Sequence, residues 1–534
     1  MNTAVREIIR RVEKPARYTG CEINVCPPKS ISPCLRIALG YPDLYEVGMS
    51  SLGIRILYGL LNDLKGVSCE RFFAPGEDLE TILRQERRPL FALESGEPLR
   101  VFDLVAFSLS SELNYTNVLN LLDLAGIPLL ASQRGPEVPL ILAGGSCTVN
   151  PMPLTPFVDA FVIGEGEEVV REIVTVCQEM KGQPRWQKLE SLARLKGVYV
   201  PGKTTGPVAR RLLADFNNSY FPVRWIVPLT EIIHDRISLE IMRGCPQGCR
   251  FCAAGYCWRP VRYRCPERIV ELAREAYRWS GYEEISLLSF SSGDHPQIEA
   301  IVEGLMKEFA GRQVAISFPS LRVDTFSFDL ASRLKEIRKT GLTFAPETSQ
   351  RLRWQLGKKI TDGEVINLAN RARNSGWRQI KLYFMLGLPG ETEGDLQEVV
   401  KLIREVSRIM AVHVSLNTFV PKAHTPLERE TFNSREEIIT RTHYLRNQLG
   451  SSPRIKLSFH PYEMSLVETF LGRGDEQLSQ VLLSAWRHGA RLENWSEHFS
   501  LACWESAFRE CGLSVEKYTG RQQQPVLPWQ VIQV

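Results

Sequence analysis

Residues 243–252 read RGCPQGCRFC, which sets Cys245, Cys249 and Cys252 in a C-x-x-x-C-x-x-C array directly after the strand-like run RISLEIM. Three thiols in so short a stretch can hold a metal, protect one another as a disulfide, or fill a small core. A structural zinc site usually pairs two short cysteine or histidine units. Here three cysteines come first, and Cys257 and Cys265 trail at looser spacing. Thiolates are the usual ligands of an iron-sulfur cluster, and a four-iron cluster held by three cysteines leaves one iron open to another ligand. The spacing favours a cluster over zinc or plain packing.

Composition narrows the setting. The chain has 534 residues, 44% of them hydrophobic and 24% charged, which suits roughly two to four globular domains. No apolar run approaches the length of a membrane span. The N-terminus MNTAVREIIRRVEKPARY lacks an apolar h-region, and its Glu7 and Glu13 argue against a transit peptide. A cytoplasmic location is therefore expected, where thiols stay reduced. In such a chain 13 cysteines point to ligation, reactivity or burial rather than to a disulfide framework. A net charge of +4 is too mild to imply a nucleic-acid partner.

Outward from the cysteines, strand candidates recur between helical stretches. RISLEIM, EISLLSF, VAISFPSLRV, GLTFAPE, IKLYFMLGLP and VHVSLNTFVP give a barrel of βα units over 233–430, full or partial. Upstream, LRIALGYP, VFDLVAFSLS, PLILAGGSC and AFVIGEG alternate with helical segments over 37–205, the pattern of a doubly wound, Rossmann-like parallel sheet. An arm (1–36) precedes it, and a Pro-, Gly- and Asn-punctuated connector (206–232) follows. The tail, 431–534, reads as a small, mostly helical domain. The fold class is α/β.

The cysteine loop resembles that of the radical SAM superfamily, whose C-x-x-x-C-x-x-C loop follows the first strand of a partial βα barrel. The resemblance implies a 4Fe-4S cluster on Cys245, Cys249 and Cys252, whose open iron binds the amino and carboxylate groups of S-adenosylmethionine (SAM). Reductive cleavage of SAM then yields a 5'-deoxyadenosyl radical. Phe251 matches the aromatic that packs near the cofactor, its bland reading being core packing. In SFSSGDH, Ser292, Gly293 and Asp294 stand where the family has a Gly-Gly-Glu segment that holds the SAM amino group. Arg322 of SFPSLRVD suits a carboxylate, which guanidinium can grip at both oxygens. Glu347 of FAPETSQRLR matches a contact to the SAM ribose or amino end, with Ser349 a further ligand candidate in a shortened loop. Leu388 and Pro389 of MLGLPGET match the adenine-contacting turn. The segments YPDLYEVGMS, YTNVL, GEGEE and LPW extend the likeness to an uncharacterised radical SAM family with a cobalamin-binding-like N-terminal domain. A reducing partner such as flavodoxin or ferredoxin is implied.

Familiar cobalamin-binding domains carry Asp-x-His-x-x-Gly after their first strand, the His coordinating cobalt. The corresponding DLYEVG has Asp43, Tyr45 and Gly48, and every histidine of the chain lies at 234 or later. A tyrosine phenol is a poor ligand unless ionised. Cobalamin would then rest on backbone and small residues, Ser108 and Ser110 of FSLSS and Gly144 and Gly145 of AGGSC; the other reading is a vestigial domain with tight turns that bind nothing.

Arginines crowd 243–268 among Phe251, Tyr256, Trp258 and Tyr263. Such interleaving suits RNA, and equally a cofactor mouth whose arginines grip carboxylates and backbone, the reading favoured here. Cys147, Cys257 and Cys265 are expected to be buried and inert. His295 and His424, at strand ends, are expected to be structural, a proton-transfer role being their alternative. The functional expectation is a radical SAM enzyme of unresolved reaction, methylation with cobalamin included. Its rival is a noncatalytic metal-binding RNA or assembly factor with structural zinc or cluster.

Overall fold

The structure is a computed structural model that describes residues 3–29, 35–317, 322–323 and 341–534. Its N-terminal sheet comprises β1 (Leu35–Tyr41), β2 (Val67–Phe73), β3 (Leu104–Ser108), β4 (Leu140–Gly144), β5 (Ala160–Val162) and β6 (Val198–Tyr199). The spatial order is β2-β1-β3-β4-β5-β6, with only β6 antiparallel. A sheet covered on both faces needs apolar side chains on both. Ile37, Leu39 and Tyr41 accordingly join Tyr58, Ile173 and Leu192 on one face, and Ala38, Phe72 and Phe107 join Leu83 and Leu119 on the other.

That second face is completed from both ends of the chain. Val5 and Ile8 of helix Thr3–Ile9 share its core with Phe470, Leu482, Trp504 and Phe508 of helices Tyr462–Gly472, Leu478–Arg487 and Leu501–Cys511. The tail expected as a separate domain is therefore part of the N-terminal unit's core. Its helices bury their apolar sides on the N-terminal sheet because none is wide enough to cover itself.

Beyond the connector strand β7 (Val208–Ala209), β8 (Ile237–Glu240) leads into β9 (Met242–Arg243), which pairs antiparallel with β10 (Arg262–Tyr263). Then come β11 (Glu284–Leu288), β12 (Ala315–Ser317), β13 (Leu342–Glu347), β14 (Gln379–Leu386), β15 (Ala411–Thr418) and β16 (Ile455–Phe459). The described residues form two parallel sheets, β12-β11-β8 and β13-β14-β15-β16. All six expected barrel strands are present, the third running toward 318–321, outside the described residues. The barrel does not stop at 430, however: β16 lies in the segment read as tail and pairs in parallel with β15.

Barrel strands alternate in burial. Ile380, Leu382, Phe384 and Leu386 of β14 pack outward against helices Asp362–Asn374 and Glu393–Ile409, so the alternate side chains face inward. Capping boxes at Thr361/Glu364, Thr392/Asp395 and Ser434/Glu437 start these two helices and Arg435–Leu449 by satisfying otherwise orphaned backbone N–H groups. The last strand, β17 (Ile532–Gln533), pairs with β7, so the expected connector is itself pinned. No described helix is long and apolar enough to cross a membrane.

Candidate active site

Gly244 opens the cysteine loop at φ +89°, and a Cβ there would lie 2.4 Å from the carbonyl oxygen of Trp258, so only glycine lets β9 turn into the loop. Cys245 and Cys249 are buried and Cys252 half-buried, all as free thiols. Arg250 N–H donates to Leu356 O at 2.9 Å, fastening the loop to the turn after helix Gln350–Gln355. Burial pushes the Cys245 and Cys249 thiols up, while Lys358 and Arg322 pull Cys249 down. Both thiols also feel the charge of Cys252, so the three stand close enough to couple. Among the described residues no three His, Cys, Asp or Glu groups converge on one ion position; a cube of four irons takes its thiolates on separate irons and needs no such point. Three clustered thiols beside two cations fit an anionic thiolate-bound cluster.

The remaining expected residues gather around this loop. Asp294 ends the 3-10 turn Ser292–Asp294. Its Oδ2 accepts from Gln247 Nε2 at 2.9 Å and Ser291 Oγ at 2.7 Å, and lies 4.0 Å from Arg322 Nε. Gln247 lies between the first two cysteines, so this bond ties the loop to the second strand's turn. Ser292 is fully buried, its hydroxyl shared with Ser289 and Leu287 O; with Gly293 it shapes the turn and offers backbone only. Glu347 ends β13 after a bulge, at φ +73°, and accepts from Lys358 Nζ at 2.8 Å. Phe251 packs with Leu352, Leu356, Leu388 and Phe419, so the aromatic beside Cys252 and the turn after β14 share one apolar cluster, with half-buried Pro389 next to it. Ser349 is a helix cap: its hydroxyl donates to Asp395 at 2.5 Å and accepts from Leu352 N.

Above the barrel lies a largely apolar cavity of about 320 Å³. It runs along one face of the N-terminal sheet under helices Leu52–Asp63 and Gly166–Glu179, from Ile37 and Leu104 to Ser108, Gly144 and Gly145 at the carboxyl ends of the strands, and Glu240, Arg243, Trp258 and Leu288 close it from the barrel side. Gly145 stands at φ +110°, where a Cβ would meet Leu109 O at 2.3 Å. Ser110 stands beyond the lining, hydrogen-bonded to Tyr41 at 2.5 Å.

Tyr45 is elsewhere. It is buried against Phe73 and donates to Glu22 Oε1 at 2.7 Å, and Glu22 with Glu94 clasps the buried Arg71. Burial and the Glu22 carboxylate push the phenol well above its ordinary value. Asp43, the first residue of the same DLYEVG segment, accepts from Trp495 Nε1 at 2.8 Å and Asn494 Nδ2 at 3.1 Å. The signature has become a clasp for the tail. The cavity's glycines and apolar walls offer a flat apolar face with room for only part of a large planar cofactor, and no ligand from this motif lines it.

Sequence reasoning missed how the two units are joined. Arg243 donates to Glu167 at 2.7 Å and to both oxygens of Glu240, and Arg262 grips Glu165. On the opposite side Lys422 pairs with Glu112 and Glu468. GEGEE was visible as a family segment, but partners more than 70 residues away were not. Arg264, fully buried, donates to the carbonyls of Glu240 and Asn217 and to Ser219 Oγ. These arginines therefore grip carboxylates and backbone, and their engagement lends RNA no support. His295 is structural, with Nδ1 accepting from Gln297 N and Nε2 on Arg264 O; so is His424, on Val149 O. Burial pushes the Cys257 thiol up to about 11 and Cys147 well above its ordinary value, whereas Cys265, expected to be buried, is half-buried at the N-cap position of helix Pro266–Ser280, with no capping bond from its thiol.

A thiol loop on a parallel barrel, covered by a doubly wound sheet, defines the class of enzymes that cleave SAM at an iron-sulfur cluster. The family model for the N-terminal part of radical SAM proteins matches residues 53–201, and that of the radical SAM superfamily matches 239–403. The chain belongs to the radical SAM superfamily. It is 29% identical over 454 residues to an uncharacterized protein of Methanocaldococcus jannaschii, a match spanning 84% of this chain and 90% of that one. Its fold is similar to that of the methyltransferase TsrM from Kitasatospora setae, solved with cobalamin and a [4Fe-4S] cluster bound (TM-score 0.55, 13% identity, 90% of this chain and 99% of that). It is also similar to that of the cobalamin-dependent radical enzyme OxsB, solved with aqua-cobalamin (TM-score 0.53, 12% identity, 85% and 66%). At such identities the likeness is one of fold. The protein is a radical SAM enzyme, and the cofactors of its family are a 4Fe-4S cluster and SAM.

Proposed function

We propose that the protein is a cobalamin-using radical SAM enzyme, with group transfer such as methylation as its reaction. The observation that carries the cobalamin reading is the cavity shared by the N-terminal sheet and barrel residues Glu240, Arg243, Trp258 and Leu288. In this reading Cys245, Cys249 and Cys252 ligate the cluster, Asp294 and Glu347 hold the amino and ribose end of SAM, and Arg322 holds its carboxylate. When bound, the cluster supplies the electron that cleaves SAM, and cobalamin supplies a carrier for a methyl group. The chain's own residues position and exclude. Lys358 holds the Glu347 carboxylate in place, Gln247 carries Asp294 with the cysteine loop, and Phe251, Leu352, Leu388 and Phe419 form a dry wall against water.

The electron must come from a reductant, and flavodoxin or ferredoxin suits a cytoplasmic enzyme. The test is anaerobic reconstitution of the full chain with iron, sulfide and cobalamin, then incubation with SAM and reductant. Cobalamin retained through dialysis, with S-adenosylhomocysteine among the products, supports methyl transfer. Only 5'-deoxyadenosine, with no cobalamin retained, would leave a radical enzyme whose N-terminal unit merely covers the barrel.

A further inference from the structure

The geometry points to an oxyanion-binding site inside the barrel, built by Lys381 and His413, that receives a carboxylate or phosphate group of the substrate. It rests on the radical SAM reading and adds the chemical class of what is modified.

The inner face of a closed βα barrel is normally filled by bulky branched side chains. Here it is hydroxylic and cationic. Strand registers place Ser238, Ser286 and Ser317 in one row across β8, β11 and β12. Tyr383, Ser415 and Ser458 form a row across β14, β15 and β16. Lys381, His413 and Lys456 form the row beneath. They alternate along β14 and β15 with the core-facing Ile380, Leu382, Val412 and Val414, and Lys456 at the sheet's edge strand is exposed.

Two side chains of the lower row reach upward. Lys381 Nζ lies over the Tyr383 ring, 4.6 Å from its centre, and His413 Nε2 is 3.0 Å from Ser458 Oγ. Both polar ends therefore lie at the level of the hydroxyl row. Glu347 is in register with Phe384, one residue further along β14, so this level is about 3.3 Å below the Glu347 position.

The charge is unbalanced. Carboxylates on the inner face are engaged: Glu240 by Arg243, Glu284 by Arg236 and Ser317, and Glu347 by Lys358. Among the described residues, neither Lys381 nor Lys456 has a carboxylate partner. Ser458 Oγ is spent, donating to Val414 O at 3.4 Å, so the Lys381 ammonium and the His413 imidazole, with no acid beside them, are the donors for an oxyanion. Burial, then Lys381 and Lys456, hold the His413 imidazole below its ordinary value; those two lysines are the charged groups that act on it. An anion seated there would reverse that push and draw a proton onto the ring.

The experiment uses the full-length protein labelled with 13C at histidine Cε1, with the His413 resonance assigned by its loss in His413→Gln. Sodium phosphate and sodium acetate are titrated separately at constant ionic strength. A saturable His413 shift with an upward-moving pKa is expected, weakened about tenfold or more in Lys381→Met and restored in Lys381→Arg. A response to phosphate alone assigns a phosphoryl group, to acetate alone a carboxylate, and to both a general oxyanion site. No saturable shift with either, or an undiminished shift in Lys381→Met, overturns the inference. SAM cleavage scored on the same preparation tells its failure apart from failure of the radical SAM reading.

Discussion

Arg243, two residues before the first cysteine of the loop, donates to Glu167 of the N-terminal unit at 2.7 Å across 76 residues of chain. The same guanidinium holds Glu240 at the end of β8, so the root of the cysteine loop and the edge of the cavity share one buried cation. Replacing it by methionine leaves buried Glu167 and half-buried Glu240 without their counter-charge. A loss of about 3–5 kcal/mol is expected. Thermal unfolding of the Arg243→Met protein, with limited proteolysis at the connector, measures it.

Single alanine replacements of Cys245, Cys249 and Cys252 should each lower iron content and abolish SAM cleavage, because a three-thiolate site has no spare ligand. Cys257→Ala should keep both, its thiol being held protonated by burial. Iron analysis and 5'-deoxyadenosine yield decide, and full iron in all three loop variants would refute the assignment.

Asp294→Ala should weaken SAM binding roughly 10- to 100-fold, the worth of hydrogen bonds to a charged group, with the iron count unchanged. Equilibrium binding of SAM to the reconstituted protein reads this directly. Loss of iron instead would mean that the Gln247–Asp294 bond only braces the cysteine loop.

Restoring the histidine of the cobalamin signature should not restore its chemistry. In Tyr45→His the imidazole would face Glu22 and Arg71 rather than the cavity, so the paramagnetic resonance spectrum of the cob(II)alamin-loaded variant should show no nitrogen coupling from the chain. Nitrogen coupling would show that position 45 reaches the cofactor.

Glu493 is fully buried, with Trp504 Nε1 and Thr116 Oγ1 as its donors, and burial holds its carboxyl up to about 8. An unfolded glutamate releases its proton near 4.3, so between these values the folded state binds the extra proton. Stability from this group is complete below about 4.3 and is lost as pH rises through about 8. The melting temperature should fall between pH 5.5 and 8.5, and Glu493→Gln should flatten that fall.

What could be read from the sequence follows the range of the interactions. Cys245, Cys249 and Cys252 announce themselves because their chemistry is packed into eight residues, and β14 because Ile380, Leu382, Phe384 and Leu386 alternate strictly. The missing histidine at Tyr45 was equally plain. Its new partner was not, since Glu22 and Arg71 meet it only in the fold. The tail misled for a related reason: Phe470 and Trp504 give an ordinary amphipathic pattern, which says that a helix has an apolar side and nothing of which sheet it covers. The inner row of Lys381, His413 and Lys456 needed strand register, which no local spacing supplies.

The shared core of the N-terminal sheet and the helices near the chain's end also sets an order of events in the cell. Phe107 and Leu119 are made early, but Phe470, Leu482 and Trp504, which bury beside them, leave the ribosome roughly 350–400 residues later, on the order of 18–80 s at about 5–20 residues per second. Throughout that interval the nascent first unit carries an apolar flank whose covering helices are still unmade, while the thiol loop has already been synthesised, so the first unit cannot close its core until the last tenth of the chain arrives.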